Sequence, residues 1–157
     1  DEKHNHQQCI NTALSKAHTL CRSRGSRLTP VRKRVLELIW QSHQPLGAYQ
    51  LLAQLSAEGF NSAPPTVYRA LDFLLEQGLL HRIASLNAFI GCRHPDQQHH
   101  GYFLICRNCN SAEEFEAKSI AFNKMEQDEY EQLYHAVIQA ALDTIFQDAD
   151  EVIINQL

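Results

Sequence analysis

No stretch of the 157 residues holds a run of about eighteen apolar side chains, so the sequence predicts no membrane-crossing helix. The opening residues Asp1-Glu2-Lys3-His4 lack the apolar h-region of a secretory signal, and the expectation is a cytosolic protein. There is no His-Glu-x-x-His, no deaminase zinc signature and no nucleophile elbow. A zinc hydrolase would need an open coordination position with a general base beside it, so an enzyme is not expected. Internal repeats and low-complexity segments are missing as well. Cysteine is scarce and odd in number. Five thiols in a reducing compartment suit metal binding better than a disulfide framework. Apolar residues make up 44%, enough for a core without covalent staples, and the length allows one ordinary domain or two small ones.

The net charge of −4 conceals an asymmetry. Residues 1–83 carry ten Lys/Arg against six Asp/Glu, and residues 84–157 carry four against twelve. A basic half is an electrostatic footprint for phosphates and an acidic half would be repelled by them, although a chance grouping of solvated charge gives the same totals.

The basic half reads as helices. Ile10, Leu14, Ala17 and Cys21 fall at helical spacing within residues 9–23. Thr29-Pro30 then reads as an N-cap followed by proline at the first helical position, where its missing N–H costs nothing. Val31, Val35, Leu38 and Ile39 form that helix's apolar stripe, while Arg32, Lys33 and Arg34 crowd its first turns. Positive charge there opposes the helix dipole, which suggests that phosphates are the compensation. After a connector with Pro45, a helix is expected over about Ala48–Leu55. A Gly/Asn/Ser/Pro loop precedes another over about Pro65–Gln77, whose stripe Val67, Leu71, Leu74 and Leu75 leaves Thr66, Arg69, Asp72 and Phe73 on other faces.

Beyond Gly78 the periodicity switches. Leu79–Ile83 and Ala88–Cys92 flank Ala84-Ser85-Leu86-Asn87 as a hairpin with Asn87 in its turn. Three helices and a hairpin make a winged helix–turn–helix, whose third helix would enter the major groove. The same elements can also be plain scaffold. The fold class expected is α+β, with a winged-helix domain over 1–83 (wing to about 92) and a small α/β dimerisation domain over 84–157. In the second part, strands are expected over Tyr102–Cys106, around Glu113–Ala117 and over Glu151–Leu157. The apolar helix expected over about Ile120–Phe146 needs its own sheet or a second copy as partner.

The segment from His81 to Glu114 concentrates metal-ligand types. It holds three of the five cysteines and four of the nine histidines. Thiolate, imidazole and carboxylate are the groups that bind Zn²⁺ tetrahedrally. Cys106-Arg107-Asn108-Cys109 can offer two thiolates from one tight turn, yet a lone pair is half of a Cys₄ site, and free thiols or a redox pair remain open. His81, Cys92, His99 and Glu114 lie on four separate elements, so a shared metal would pin the DNA-reading unit to the second half. His94 and His100 are spare candidates.

The blocks Arg27-Leu28-Thr29-Pro30-Val31-Arg32, Ala48-Tyr49-Gln50-Leu51-Leu52, Pro64-Pro65-Thr66-Val67-Tyr68-Arg69-Ala70-Leu71, Asp72-Phe73-Leu74-Leu75-Glu76-Gln77-Gly78-Leu79 and Cys106-Arg107-Asn108-Cys109 resemble the ferric/zinc uptake regulator (Fur) family, most closely its zinc-sensing branch. The resemblance spans about Arg22 to Glu116. It implies a homodimeric, metal-dependent repressor that binds a pseudo-palindromic double-stranded DNA operator and controls zinc-uptake genes. On matching positions, it implies that Tyr49 and Arg69 read bases and that Tyr68 and Arg32 contact the backbone, with Thr66 and Arg27 completing the DNA-contacting set. It also implies regulatory zinc at His81, Cys92, His99 and Glu114, and half of a structural zinc site at Cys106 and Cys109. A thiolate at Cys92 favours Zn²⁺ over iron, because the iron-responsive relatives use nitrogen and oxygen ligands there.

One departure bears on the structural zinc. The family usually carries a second Cys-x-x-Cys beyond the last strand, and this sequence reaches Asn155-Gln156-Leu157 about where that pair would begin. Either the given chain ends early, or the knuckle is half-liganded, metal-free or completed otherwise. The alternatives to a zinc-responsive repressor are an iron- or peroxide-responsive regulator of the same family and a winged-helix protein-interaction module with structural zinc.

Overall fold

Asn5 starts the first helix: its side chain accepts the N–H of Gln8 at 3.2 Å, satisfying one donor that a helix start leaves without a partner. A computed structural model of the chain describes residues 5–42, 44–96, 102–106, 108–115 and 152–156. Helix α1 spans His6–Ser23 and buries Ile10, Ala17 and Cys21, so the cap sets its start earlier than the apolar spacing indicated. Helix α2 spans Pro30–Gln41, with the Thr29 hydroxyl accepting from the Arg32 N–H at 3.4 Å and Pro30 in the first turn. Helix α3 spans Ala48–Ala57, and the Gln50 side chain reaches back to accept the Gly47 N–H at 2.9 Å.

Helix α4, Pro64–Glu76, has no side-chain cap. Two prolines occupy its first positions and bring no N–H, so fewer donors need one. Its far end closes on Gly78, which sits at φ +72°, where a side chain would be strained. The Gly78 N–H donates to Leu75 at 3.0 Å and the Leu79 N–H to Leu74 at 2.9 Å, the paired bonds of a Schellman stop. Strands β1, Leu80–Ile83, and β2, Ala88–Gly91, then pair antiparallel with Leu80 opposite Gly91 and Ile83 opposite Ala88. A short 3₁₀ turn at Ala84–Leu86 and a left-handed Asn87 (φ 46°) connect them, a conformation asparagine tolerates because its side chain can hydrogen-bond locally. Here that side chain accepts from Arg82 Nη2 at 3.0 Å. The outer edge of β2 is stitched to the α2–α3 connector by Leu46 N–H to Phe89 carbonyl (3.1 Å) and the reverse bond (2.8 Å).

The four helices and the hairpin share one apolar core, built from Ala17, Val35, Leu36, Leu51, Leu55, Leu71, Leu74 and their neighbours. Truncating a fully buried leucine such as Leu71 to Ala costs about 2–5 kcal/mol by lost transfer energy and cavity formation. This is the winged helix–turn–helix order expected from the sequence. A separate three-stranded antiparallel sheet runs in the order β4-β3-β5, from β3 (Tyr102–Cys106), β4 (Ala112–Phe115) and β5 (Val152–Gln156). Phe103, Leu104, Ile105 and Cys106 are all buried, so both faces of β3 are covered. The chain divides into a unit Asp1–His99, which contains the whole hairpin, and a unit His100–Leu157. The helix expected over 120–146 lies outside the described residues. The α+β class is that of the chain, and no described helix is long and apolar enough to cross a membrane.

Candidate nucleic-acid interface and metal-ligating residues

Two large aromatic side chains stand out in solvent among the described residues: Tyr49 is 74% exposed and Tyr68 43%. Tyr49 stands in the first turn of α3 and Tyr68 in the first half of α4, where Arg69 is exposed beside it. Thr66, Arg69 and Phe73, three and four residues apart, share one face of α4. Val67, Ala70, Leu71 and Leu74 are buried. The helix is thus anchored by one stripe and free to present another. The Arg27 side chain is exposed ahead of α2.

The basic run at the start of α2 has found partners within the protein. Arg34 makes a bidentate pair with Glu58 at the end of α3, Nε to Oε2 at 2.7 Å and Nη2 to Oε1 at 2.6 Å, and Nη1 reaches Glu37 at 2.9 Å. The Arg34 side chain holds the Glu58 carboxyl below its ordinary range, first through the hydrogen bond. Arg32 Nη1 donates to the Arg27 carbonyl at 2.7 Å, and its guanidinium carbon lies 3.7 Å from the centre of the Phe73 ring. Arg24 Nη1 donates to the Gln77 carbonyl at 2.8 Å, placing positive charge at the carbonyl end of α4. Lys33 is 3.8 Å from Glu37 and largely exposed. The charge at the start of α2 is therefore compensated partly by carboxylates and an aromatic ring of the fold itself, where the sequence suggested phosphates.

The hairpin register sets two of the candidate metal ligands on one face. His81 lies opposite Ile90, and alternation puts the Cys92 side chain on the same side as Ile90, diagonal to His81. Cys92 is buried, its N–H donating to the Leu79 carbonyl at 3.0 Å, and His81 Nε2 is shielded from solvent. The opposite face of the hairpin is closed by the Trp40 indole packed on Gly91. His94 is exposed. His99 and His100 lie outside the described residues, and Glu114 is placed on β4 by its backbone, opposite Phe103. Among the described residues no three His, Cys, Asp or Glu converge on a single point.

Cys106 and Cys109 bracket a turn at the end of β3. The Asn110 N–H donates to the Cys106 carbonyl at 2.8 Å, and the Cys106 N–H to the Ser111 carbonyl at 2.9 Å. Cys106 is buried and Cys109 exposed. The Ser111 hydroxyl lies 3.0 Å from Cys109 Sγ, and this hydrogen bond, followed by one from the Ser111 backbone and one from Cys106, lowers the Cys109 thiol below its usual range. A thiol that ionises easily beside a second thiol is the donor chemistry a zinc knuckle needs, so the pair fits half of such a site.

Residues 23–143 match the sequence pattern of the ferric uptake regulator family. The chain belongs to that family. As a member of the ferric uptake regulator family it is 42% identical, over 102 residues, to the zinc uptake regulation protein of Escherichia coli (strain K12), a match covering 64% of this chain. The chain spans 60% of the length of that curated relative. Among solved structures it is similar to a zinc uptake regulator complexed with zinc and DNA, at 34% identity, TM-score 0.66, covering 86% of this chain and 82% of the other. It is also similar to the crystal structure of holo XcZur, at 42% identity, TM-score 0.62, covering 83% and 84%.

Within this ferric uptake regulator fold, sequence reasoning passed over three contributors. Phe73 stood out only as an aromatic off the apolar stripe. Arg24 and Trp40 gave no signal of their own, because their partners Gln77 and Gly91 are distant in sequence.

Proposed function

We propose that this chain is a zinc-responsive DNA-binding repressor, a cytoplasmic homodimer rather than an enzyme, that controls zinc-uptake genes through a pseudo-palindromic operator. The observation that carries the reading is the exposed pair Tyr68-Arg69 on α4, with Tyr49 on α3, in a chain similar to a regulator complexed with zinc and DNA. Arg69 and Tyr49 read base edges, Arg being suited to bidentate pairing with guanine. Tyr68, Thr66 and Arg27 belong to the surrounding contact set, which orients the helix on the backbone.

Zn²⁺, when bound, would link side chains from separate elements. His81, Cys92, His99 and Glu114 are the regulatory ligands, with His94 and His100 as spares, and Cys106 and Cys109 are half of a structural site. His81 and Cys92 belong to the wing hairpin, so restraining them restrains the unit that carries α4. Without that restraint the two reading units of a dimer sample many spacings. With it they match half-sites on adjacent turns of DNA. The shift is limited by the difference in zinc affinity between the two states, about 1–3 kcal/mol for typical coupling.

The test is fluorescence anisotropy of a labelled operator-type duplex, with chelated protein titrated by buffered Zn²⁺ and separately by anaerobic Fe²⁺. Tight binding that appears with zinc and not with iron is the expected result. Binding driven by iron would move the assignment to an iron-responsive regulator, and binding indifferent to metal would reduce the His/Cys cluster to structure.

A further inference from the structure

We propose that Arg32 is a positioning residue for DNA recognition: it sets the rotation of α4 about its axis by stacking on Phe73 and makes no phosphate contact. The inference rests on the DNA-binding reading and assigns Arg32 a different place within it. Both polar and aromatic contacts of the guanidinium are intramolecular. Nη1 donates to the Arg27 carbonyl at 2.7 Å, and Cζ sits 3.7 Å over the Phe73 ring, well inside the distance at which a cation is attracted to an aromatic face. Arg32 is half-buried, whereas Arg27 and Arg69 are exposed.

The location gives this contact its consequence. Phe73 lies four residues beyond Arg69 on one face of α4, so a force that holds the Phe73 ring also holds the azimuth of Arg69. The buried stripe Val67, Ala70, Leu71 and Leu74 fixes the opposite side of the helix. The end of α4 is gripped by the same stretch of chain, where Arg24 donates to the Gln77 carbonyl and Gln77 Nε2 lies 3.4 Å from Ser26 Oγ. The α1–α2 connection thus holds α4 at its terminus, and the first turn of α2 holds it at its third turn. Bidentate base reading tolerates little angular error, so a small rotation of α4 weakens binding without removing any charge from the interface. Lysine reproduces the role poorly, because a compact ammonium is drawn to a ring but lacks the planar fork that stacks on Phe73 while another nitrogen donates to the Arg27 carbonyl.

The experiment measures operator affinity against salt for the Zn²⁺-loaded full chain and for Arg32→Ala, Arg32→Lys, Phe73→Leu and Phe73→Tyr, using a fluorescein-labelled duplex obtained by in vitro selection with the wild-type protein. Circular dichroism confirms that each variant is folded. Positioning predicts that Arg32→Ala, Arg32→Lys and Phe73→Leu each weaken binding by about two- to thirty-fold, the range that a cation–π contact converts to. The slope of log affinity against log salt stays that of the wild type. Phe73→Tyr, which keeps the ring, retains binding. The Arg32→Ala/Phe73→Leu double variant is no weaker than either single one. A phosphate contact predicts instead a slope shallower by about 0.9 in Arg32→Ala, recovery in Arg32→Lys and no effect of Phe73→Leu, and that pattern overturns the proposal. Failure of the wild-type protein to bind any duplex in a zinc- and salt-dependent manner overturns the DNA-binding reading itself and this inference with it.

Discussion

Replacing Gly91 with alanine would put the new Cβ 2.4 Å from Trp40 Cε2, 2.5 Å from Nε1 and 2.8 Å from Cζ2. Carbon pairs prefer about 3.5–4.0 Å, so either the indole or the strand must move by about 1 Å. The indole is a rigid plane and cannot yield by bending a flexible end. Overfilling of this kind costs about 1–3 kcal/mol. Alanine also restricts the unfolded chain, a gain of about 0.4–1 kcal/mol where the native backbone suits it. The clash wins, leaving a net loss on the order of 1–2 kcal/mol. For a unit of this size each kcal/mol shifts the midpoint by roughly 4–8 °C, so a drop of roughly 5–15 °C is expected. The assay is thermal unfolding followed by tryptophan fluorescence, which reports this contact because Trp40 is the sole tryptophan. In a Trp40→Leu background the same glycine change should cost little, since the obstructing ring is gone. A Gly91→Ala protein that melts with the wild type and keeps its Trp40 emission would refute the packing described for the hairpin.

Three further outcomes are expected. Arg69→Ala should relax base choice at one operator position at a cost of about 1–3 kcal/mol, checked by competition with single-base operator variants; unchanged preference would remove Arg69 from the reading set. Cys92→Ser should leave apo-protein unfolding close to wild type while abolishing zinc-stimulated DNA binding, and retained stimulation would strike Cys92 from the ligands. Glu58→Gln should lower stability near neutral pH by removing the anion that Arg34 grips. The folded-state pKa of Glu58 lies below its usual 4.5, so the pair stabilises fully above that value and fades as pH falls through the lowered one. The wild-type and Glu58→Gln melting curves should therefore converge in acid, and a gap that persists there would mean the loss is not electrostatic.

What the sequence made legible was local. Thr29-Pro30, the Gly78 stop and the Asn87 turn each act through the backbone of their own neighbourhood, so helix starts, the end of α4 and the hairpin could be read within a few residues. Long-range partners could not. Arg34 looked like a phosphate ligand because nothing nearby in the chain announces Glu58, which is 24 residues away. Gly91 drew no notice within the expected strand Ala88–Cys92, since its requirement comes from a side chain on α2. On the metal side, the sequence put His81 and Cys92 on the two strands of the hairpin, the pairing register then set them on one face, and the turn at Cys106–Cys109 followed from the Cys-x-x-Cys spacing. The low thiol of Cys109 needed Ser111, whose hydroxyl gave no cue.

The bridge between Leu46 and Phe89 makes a nominal loop behave as a strand. Surface connectors ordinarily accept insertions because their backbone is solvated. Here the Leu46 N–H and carbonyl are both committed to Phe89, and a Cβ added at Gly47 would lie 3.6 Å from the Asn87 carbonyl. One added residue between Gln44 and Gly47 would slide this pairing out of register and strip the hairpin of its third strand. Length variation among such proteins should then gather in the Asn61–Ala63 loop ahead of α4, and the Gln44–Gly47 segment should be held to a fixed count.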